Sequence, residues 1–429
     1  MILLALNELN IQYIKGYIQE GHLINFSKLL QNGLIETSSE NEYELLEPWI
    51  QWTTVQTGKN YHEHKIFRLG DIVNRQDITQ IFEELENLGV SIGAISPFNA
   101  ENRLKKAKFF IPDPWTQTTA SGPKLIRKLS NSISRIVNNN ASGRVTIMDF
   151  FWLIIGFASY VRIKRWWHFM CMIRIYKRPG VKAAILDMIL LEVFVTLQKK
   201  YKPNYSHLFF NGGAHVQHHY MFNSSQYDGK LKNPEWYCSK DWDPLLMILK
   251  TYDLIIGDLL ETKEKIVGIT GLQQVPHDKE TWYWRPNNHK QFLEDLGIKD
   301  KFKVTPRMSR DFLIETGSID EALIIEKELK AIRSSKGMTE VFSIDNRGSS
   351  LFVEIIFDKD IEGVHFINSN GEIFDDLKSK LAFVAIKNGK HEGTGYVFSN
   401  KSLKIDEKLT LPLRNISEII KDLALEEIK

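Results

Sequence analysis

Residues 209–221 read Phe-Phe-Asn-Gly-Gly-Ala-His-Val-Gln-His-His-Tyr-Met, and this stretch sets the expectations for the whole chain. The apolar run that ends at Phe210 predicts a buried strand, and Gly212 and Gly213 allow the backbone to turn tightly after it. Open α/β sheets keep their binding sites at the carboxyl ends of their strands. The stretch therefore predicts an α/β fold with a site at this edge of the sheet.

The turn is followed by three histidines within five residues. On a helix, His215 and His219 are four residues apart and share a face, and His218 lies beside them. Imidazole nitrogens bind transition-metal ions and also form hydrogen bonds. The spacing favours a metal site or a polar hydrogen-bonded site, and capping or core histidines are the alternative.

The composition is that of a globular protein, with 429 residues of which 43% are hydrophobic and 25% are charged. A net charge of +2 gives no global attraction to nucleic acid, so no nucleic-acid partner is expected. Cys171 and Cys238 are the only cysteines, which gives neither a disulfide framework nor a cysteine-based zinc site. The longest apolar run, Val145 to Val161, contains Asp149 and is shorter than the roughly 20 residues of a spanning helix. We therefore expect no transmembrane helix and a cytoplasmic protein.

Four apolar segments have the pattern of strands that are buried on both faces: Ile2–Leu6, Val90–Ile95, Ser206–Phe210 and Ile266–Thr270. Helical patterns alternate with these strands, as at Ile11–Glu20 and Pro244–Leu260. This alternation predicts an α/β fold, a mostly parallel central sheet with helices on both faces. We assign this core to residues 1–100 and 200–429.

Residues 101–199 interrupt the alternation and predict a basic, aromatic-rich helical insertion or cap. Six Lys and Arg residues are mixed with three tryptophans between positions 150 and 178. Such helices rest on anionic membrane surfaces or bind phosphate-bearing substrates. A cap with buried aromatic residues and solvated charges is the alternative. One prediction is therefore peripheral membrane contact through the 150–178 region.

Several blocks together resemble the alkaline phosphatase superfamily, and in particular its type I phosphodiesterase/nucleotide pyrophosphatase branch. In that branch a strand ends at a metal-binding Asp and is followed by the pattern EG-x-L-P-N-x-x-x-L, which residues 2–7 and 20–30 resemble. Residues 52–67 resemble its W-x-x-x-x-TG and HGIF block, residues 214–218 its D-x-x-x-H, and residues 389–395 its G-x-H-x-x-x-G. The resemblance implies an alkaline phosphatase-like fold in which two zinc-type ions, about 4 Å apart, act on a phosphoryl group.

The sequence departs from this family pattern at most of the metal ligands. Asn7 and Ala214 stand where the pattern has aspartates, and Gly271-Leu272 stands where it has Asp-His. The Ser or Thr nucleophile is replaced at or near Pro48. The resemblance leaves His218 and His391 as ligands of one metal, so we expect one divalent ion, zinc or manganese.

Three hypotheses remain open at this level. In the first, the chain is a divergent metal-dependent phosphoesterase or phosphodiesterase-like hydrolase that lacks the usual Ser/Thr nucleophile. Its substrate would be a phosphorylated or nucleotide-linked small molecule or a glycan precursor. Zinc accepts three protein ligands and a water whose pKa falls to about 7. The predicted metal ligands are His218 and His391, completed by His219 or His215 and by a carboxylate from Glu8 or Glu47. The predicted catalytic residues are Glu8, Glu47 and His215.

In the second hypothesis, the chain is a pseudoenzyme, a binding protein of the same fold without a metal. Five side chains, together with His218, would then donate hydrogen bonds to an anionic small molecule or glycan. These predicted substrate-binding residues are Asn7, Gln51, Asn211, Arg307 and Arg310. In the third hypothesis, the chain is a transferase in surface-glycan synthesis, and the insertion docks a lipid-linked or nucleotide-linked substrate.

Overall fold

The computed structural model describes residues 1–139, 146–299, 301–307 and 310–428. The chain divides into two compact units, one formed by Met1–Pro276 with Gly389–Lys429 and the other by His277–Asn388. This division differs from the one predicted from the sequence, which kept residues 277–388 in the core and set residues 101–199 apart. The described part of 101–199 lies in the first unit, and residues 140–145 lie outside the described residues.

The strands, in chain order, are β1 (Ile2–Leu6), β2 (Leu34–Ser38), β3 (Ile92–Ile95), β4 (Phe109–Ile111), β5 (Tyr205–Phe210), β6 (Ile266–Ile269), β7 (Gln273–Pro276), β8 (Trp282–Pro286), β9 (Phe302–Pro306), β10 (Asp311–Thr316), β11 (Arg333–Ser334), β12 (Phe342–Asn346), β13 (Ser350–Ile355), β14 (Phe366–Ile367), β15 (Ile373–Phe374), β16 (Leu381–Ile386), β17 (Gly389–Glu392), β18 (Thr394–Ser399) and β19 (Leu411–Pro412).

The α-helices, in chain order, are α1 (Ile11–Gln19), α2 (Ile24–Leu30), α3 (Pro48–Thr57), α4 (Tyr61–His64), α5 (Ile81–Asn87), α6 (Lys124–Asn139), α7 (Ile147–Tyr160), α8 (Ile163–Arg174), α9 (Val181–Tyr201), α10 (Gly212–Tyr220), α11 (Pro244–Leu260), α12 (His289–Asp295), α13 (Ile319–Ala331), α14 (Leu377–Lys380) and α15 (Ile416–Glu426).

The first unit contains an eight-stranded sheet with the order β19-β2-β18-β6-β1-β5-β3-β4. The central strand β1 pairs in parallel with β5 and with β6, and β3 is parallel to β5 and β4. Only β18 runs against its neighbours, β2 and β6. The predicted mostly parallel sheet is therefore confirmed, and the carboxyl ends of β1, β5 and β6 meet at one edge.

The sheet is covered on both faces, which explains why β1 is apolar throughout. Ile2, Leu4 and Leu6 belong to one buried core, whereas Leu3 and Ala5 belong to the other. Successive side chains of a strand point to opposite faces, so a strand between two layers of helices must be apolar at every position. Burial of each large aliphatic side chain stabilises the folded state by about 1.5–3 kcal/mol relative to leaving that side chain exposed.

The predicted insertion is mostly helical, with α6 to α9 packed against the first of these cores, but it also contributes β4, an edge strand of the main sheet. Ile126 and Leu129 of α6 and Phe169 and Met172 of α8 are buried in that core together with β1. Among the described residues, none of the helices combines the length and the apolar character that crossing a membrane requires.

The second unit is built around a four-stranded antiparallel sheet with the order β12-β13-β10-β9. Arg307 follows β9 and Arg310 precedes β10 in this unit. Three further antiparallel pairs, β8 with β16, β11 with β14 and β14 with β15, belong to the same unit.

Candidate metal centre

Glu8 lies where the central strand ends and is held from both sides. The backbone N–H of Asn7 donates to the carbonyl of Phe210 at 3.1 Å, and that of Glu8 donates to the carbonyl of Thr270 at 3.0 Å. These bonds tie the turn to the ends of β5 and β6. Glu8 has a φ of 59°, in the left-handed region that non-glycine residues seldom occupy. The carboxylate is thus buried at the centre of the edge, on a backbone conformation that the surrounding structure enforces.

Two histidines reach this carboxylate from separate parts of the chain. His218 lies in the last turn of α10, the helix that begins immediately after β5. His391 lies on β17, which pairs antiparallel with β7 and sets His391 opposite Gln274. The predicted convergence of His218 and His391 is therefore present in the structure.

Three ligand atoms form a nearly equilateral triangle. Glu8 Oε2 lies 3.1 Å from His218 Nε2 and 3.2 Å from His391 Nε2, and the two nitrogens are 3.3 Å apart. A tetrahedral ion with bonds of about 2.0–2.1 Å separates its ligand atoms by about 3.3 Å. Glu8, His218 and His391 form a group that can hold a metal ion among the described residues. One carboxylate and two imidazoles at this spacing fit one divalent ion with three protein ligands.

Amide side chains fix the orientation of the Glu8 carboxylate. Asn7 Nδ2 donates to Glu8 Oε1 at 2.9 Å, and Gln274 Nε2 donates to Glu8 Oε2. The carbonyl oxygen of the Asn7 side chain accepts from Trp52 Nε1 at 2.6 Å, and its amide also donates to Asn211 Oδ1 at 2.8 Å. Such outer partners orient a ligand and tune its basicity.

The electrostatic surroundings keep Glu8 ionised. Burial by itself raises the pKa of this carboxyl, but the facing imidazoles of His391 and His218 outweigh burial and hold the pKa well below its usual range. Metal binding requires a deprotonated carboxylate. The side chain is therefore in its ligand form at neutral pH.

Gln217 and Gln274 complete the support, and the sequence reasoning did not identify either of them. Gln217 Nε2 donates to the backbone carbonyl of Glu8 at 2.8 Å, and Gln217 Oε1 accepts from the N–H of Asn10 at 2.9 Å. Gln274 also donates to the carbonyl of Ala214 at 3.1 Å. Their places in the sequence could have pointed to them, because Gln217 precedes His218 and Gln274 closely follows Gly271-Leu272.

Glu47 faces the second ring nitrogen of His391. It immediately precedes α3, and its Oε2 lies 3.8 Å from His391 Nδ1, within ion-pair range and beyond hydrogen-bond range. The two nitrogens of His391 therefore lie between the carboxylates of Glu8 and Glu47. Pro48 is the first residue of α3, and it offers no hydroxyl at the position where the resemblance places the nucleophile.

His215 and His219 share a face of α10, as predicted, with ring centroids 4.9 Å apart. His215 is exposed and His219 is half-buried. Neither belongs to the group around Glu8. The third member of the group in the structure is Glu8, and the ring of His219 lies against that of His215.

Two of the predicted substrate-binding residues, Asn7 and Gln51, use their amide groups in hydrogen bonds within the protein. Both donors of the Asn7 amide are used within the protein, so this side chain orients Glu8. Gln51 is buried and donates to Glu40 Oε2 at 2.6 Å and to the carbonyl of Leu45 at 2.8 Å. These contacts give Asn7 and Gln51 structural positions.

The two arginines that were predicted to bind substrate lie in the second unit. Arg310 Nε donates to Glu354 Oε1 at 2.7 Å, and its guanidinium lies 4.2 Å from the ring centroid of Tyr283. Arg307 is exposed at the end of β9. Arg310 is therefore engaged by partners of its own unit.

Asp187 of α9 supports the start of α10. Its Oδ2 accepts from the N–H of Gly212 at 2.9 Å and from the hydroxyl of Tyr252 at 2.6 Å. Burial raises the pKa of Asp187 to about 7, although these donors oppose the rise. Sequence reasoning missed this residue because it stands alone in an apolar helical segment.

Comparisons with known proteins found distant structural likenesses and no sequence match. No family model and no curated protein matches the sequence. Phosphonoacetate hydrolase from Sinorhizobium meliloti 1021 matches with 12% identity over 99% of this chain and 95% of its own, at a TM-score of 0.44. Murine ectonucleotide pyrophosphatase/phosphodiesterase 5 matches with 10% identity over 99% and 95%, at 0.46. The alkaline phosphatase of the Antarctic bacterium TAB5 matches with 10% identity over 99% and 97%, at 0.39.

Two of these names, alkaline phosphatase and nucleotide pyrophosphatase/phosphodiesterase, are those of the superfamily and the branch that the sequence resembles. Identities near 10% and TM-scores below 0.5 describe a distant likeness in the course of the chain. The activities of those proteins are not transferred to this chain by it.

Proposed function

We propose that the chain is a divergent metal-dependent hydrolase of phosphate esters or diesters, in which one divalent ion, zinc or manganese, is the cofactor. Its substrate is a phosphorylated or nucleotide-linked small molecule or a glycan precursor. The observation that carries the proposal is the triangle of Glu8, His218 and His391, with edges of 3.1–3.3 Å, at the carboxyl edge of the parallel sheet.

Glu8 Oε2, His218 Nε2 and His391 Nε2 would hold the ion. When bound, a divalent ion in such a site polarises a phosphoryl oxygen and lowers the pKa of water. Asn7 and Gln274 keep the Glu8 carboxylate in one orientation, since each donates to a different oxygen of it. Glu47 keeps the His391 ring facing Glu8 by attracting the proton on Nδ1.

Glu47 is also the carboxylate placed to accept a proton during hydrolysis. Its side chain is 34% exposed, in contrast to that of Glu8 at 2%, so solvent and substrate can reach it. Transfer to a protein hydroxyl is not part of the proposal, because Pro48 occupies the start of α3. Direct attack of water on phosphorus, with Glu47 as general base, agrees with these residues.

A metal-free binding protein is the second candidate, and one observation favours it. The Glu8 carboxylate already has two amide donors and two imidazole neighbours, so its buried charge is compensated without an ion. Among the described residues, no contact supports transfer of a glycan in preference to hydrolysis.

Metal content and turnover test the proposal together. Purified protein and its His218→Ala and His391→Ala variants are loaded with zinc or manganese and analysed by mass spectrometry. The control is His62→Ala, because the His62 side chain is 61% exposed and lies 3.9 Å from the carboxylate of Glu42, outside the group around Glu8. Wild type and control should hold close to one ion and hydrolyse p-nitrophenyl phosphate or bis-p-nitrophenyl phosphate, and the two site variants should do neither. Wild-type protein that retains no ion after loading would favour the binding protein.

A further inference from the structure

The helical pair α7–α8 exposes an unusual share of the apolar surface. Of the 23 large hydrophobic side chains that are exposed in the described residues, ten lie between positions 147 and 176. Contiguous exposed apolar surface on a globular protein marks an interaction site. Such a concentration of exposed apolar side chains in one segment is the pattern of an interaction surface.

On α7 the exposed apolar side chains form one stripe. Ile147, Phe151 and Ile154 are 90%, 49% and 69% exposed, and their spacing of four and three residues places them on one helix face. The one acidic residue of this helix, Asp149, is withdrawn from the stripe. Its carboxylate accepts from Arg135 and from the hydroxyl of Thr146 at the helix start.

The neighbouring helix α8 has the same organisation. Ile163, Trp167 and Met170 are 84%, 65% and 51% exposed, and their spacing again defines one face. The opposite face carries Phe169, which is buried in the core and packs edge-on against Phe157 of α7 at 5.0 Å. The stripes are thus presented outward by helices whose other sides are anchored.

The charges of this segment are all of one sign. Residues 150–178 contain six Lys and Arg residues and no Asp or Glu. Arg162, Lys164 and Arg165 contact Glu192 and Asp258 of the underlying helices, so their charge is compensated.

Arg174 and Lys177 at the end of α8 have no acidic partner within the part of the chain that the structure describes. Each lies over an aromatic ring instead, Trp167 at 5.7 Å and Tyr176 at 6.0 Å. Apolar side chains, tryptophan and uncompensated basic groups on one face are the chemistry that binds the boundary of an anionic bilayer.

We propose that α7–α8 lies flat on an anionic lipid bilayer and docks the protein peripherally on it. The helices have 14 and 12 residues, or about 21 and 18 Å, short of the roughly 30 Å hydrocarbon core, which agrees with docking and not with spanning. A second copy of the chain fits less well. In a two-fold contact the same surface is buried on both copies, so Arg174 and Lys177 of each would meet a segment, residues 150–178, that contains no acidic residue.

Flotation with lipid vesicles tests the docking, and it requires no bound metal. Full-length protein is mixed with phosphatidylcholine vesicles with or without phosphatidylglycerol, at low and high salt. Trp167→Glu and the double variant Arg174→Glu/Lys177→Glu are compared with Trp236→Glu. Trp236 is the matched control because its side chain is 64% exposed and that of Trp167 is 65% exposed. Circular dichroism establishes that each variant is folded.

Wild type and Trp236→Glu should float with the anionic vesicles at low salt and much less with neutral ones, and added salt should weaken binding. Trp167→Glu should bind at least tenfold more weakly. Loss of the two basic residues should lower partitioning by roughly fivefold for each residue. Absence of wild-type binding to anionic vesicles at low salt overturns the proposal, as does equal binding by Trp167→Glu. A dimer in sedimentation that Trp167→Glu dissociates, without vesicle binding, assigns the surface to a second copy instead.

Discussion

Glu8 Oε2 and His391 Nε2 lie 3.2 Å apart, although the two residues come from opposite ends of the chain. The parallel pairing of β1 with β6 and the pairing of β17 with β7 bring them together. Because both belong to the first unit, this contact belongs to one compact body. The predictions below follow from the contacts around it.

Glu8→Gln should remove metal binding while retaining the volume of the side chain. An amide in place of the carboxylate removes the charge and the strongest oxygen ligand, so zinc affinity should fall at least 100-fold. Titration calorimetry of metal-depleted protein measures the change. Glu418→Gln, at an exposed position of α15, is the control, and equal zinc affinity in Glu8→Gln and wild type would count against Glu8 as a ligand.

His218→Ala/His391→Ala should destabilise the metal-free protein, because the double substitution leaves Glu8 buried without its imidazole neighbours. Removing one side of a buried ion pair costs about 3–5 kcal/mol. Urea unfolding at pH 7 measures the loss. Adding Glu8→Gln should restore a large part of it, since no buried charge is then left unpaired. A triple variant as unstable as the double variant would argue that lost packing, not charge, is the cause.

Glu47→Gln should lower turnover without removing the metal. Loss of a general base reduces kcat by about 10²–10⁴-fold, and the acidic limb of the pH profile, where this carboxylate would take up its proton, should change. Steady-state kinetics and metal analysis on the same sample separate the two effects. If the metal is lost together with activity, then Glu47 acts only by orienting His391.

Asp187 should make the folded protein less stable as the pH rises from about 4 to about 7. Burial raises the pKa of Asp187 from 3.8 to about 7, so the folded state holds a proton that the unfolded chain has already released. As far as Asp187 is concerned, the free energy of unfolding is highest below about pH 4. It falls by roughly 4 kcal/mol at most as the pH rises to about 7.

Asp187→Asn should remove this dependence, because the amide cannot ionise. Urea unfolding at pH 5, 6 and 7 compares the slopes of wild type and Asp187→Asn, with the exposed Asp241→Asn as control. If wild type and Asp187→Asn show the same slope, then Asp187 does not titrate in this range.

The buried strands and the edge of the sheet could be predicted from the sequence because their signals are local. The range Ile2–Leu6 agrees with β1 residue for residue, and Pro244–Leu260 agrees with α11. Continuous apolar runs and helical spacing depend only on neighbours along the chain. The expectation that His218 and His391 share one site came from the resemblance of residues 214–218 and 389–395 to blocks of the superfamily, and the two rings do lie together in the structure.

The third ligand could not be assigned from the sequence because it depends on one backbone angle. Glu8 and Glu47 were both considered, and His219 was named as a ligand. The left-handed φ of Glu8 aims its carboxylate at the two imidazoles. The boundaries of the second unit at Pro276 and Asn388 were missed for a related reason, since they depend on which distant segments contact one another.

The backbone conformation of Glu8 has a consequence for how the protein varies over evolutionary time. Glycine and asparagine adopt the left-handed backbone conformation most readily. If selection acted on folding alone, substitutions at position 8 should therefore drift toward those two amino acids. A survey of natural homologues in which acidic residues persist at this position would record selection for the carboxylate itself, against the preference of its own main chain.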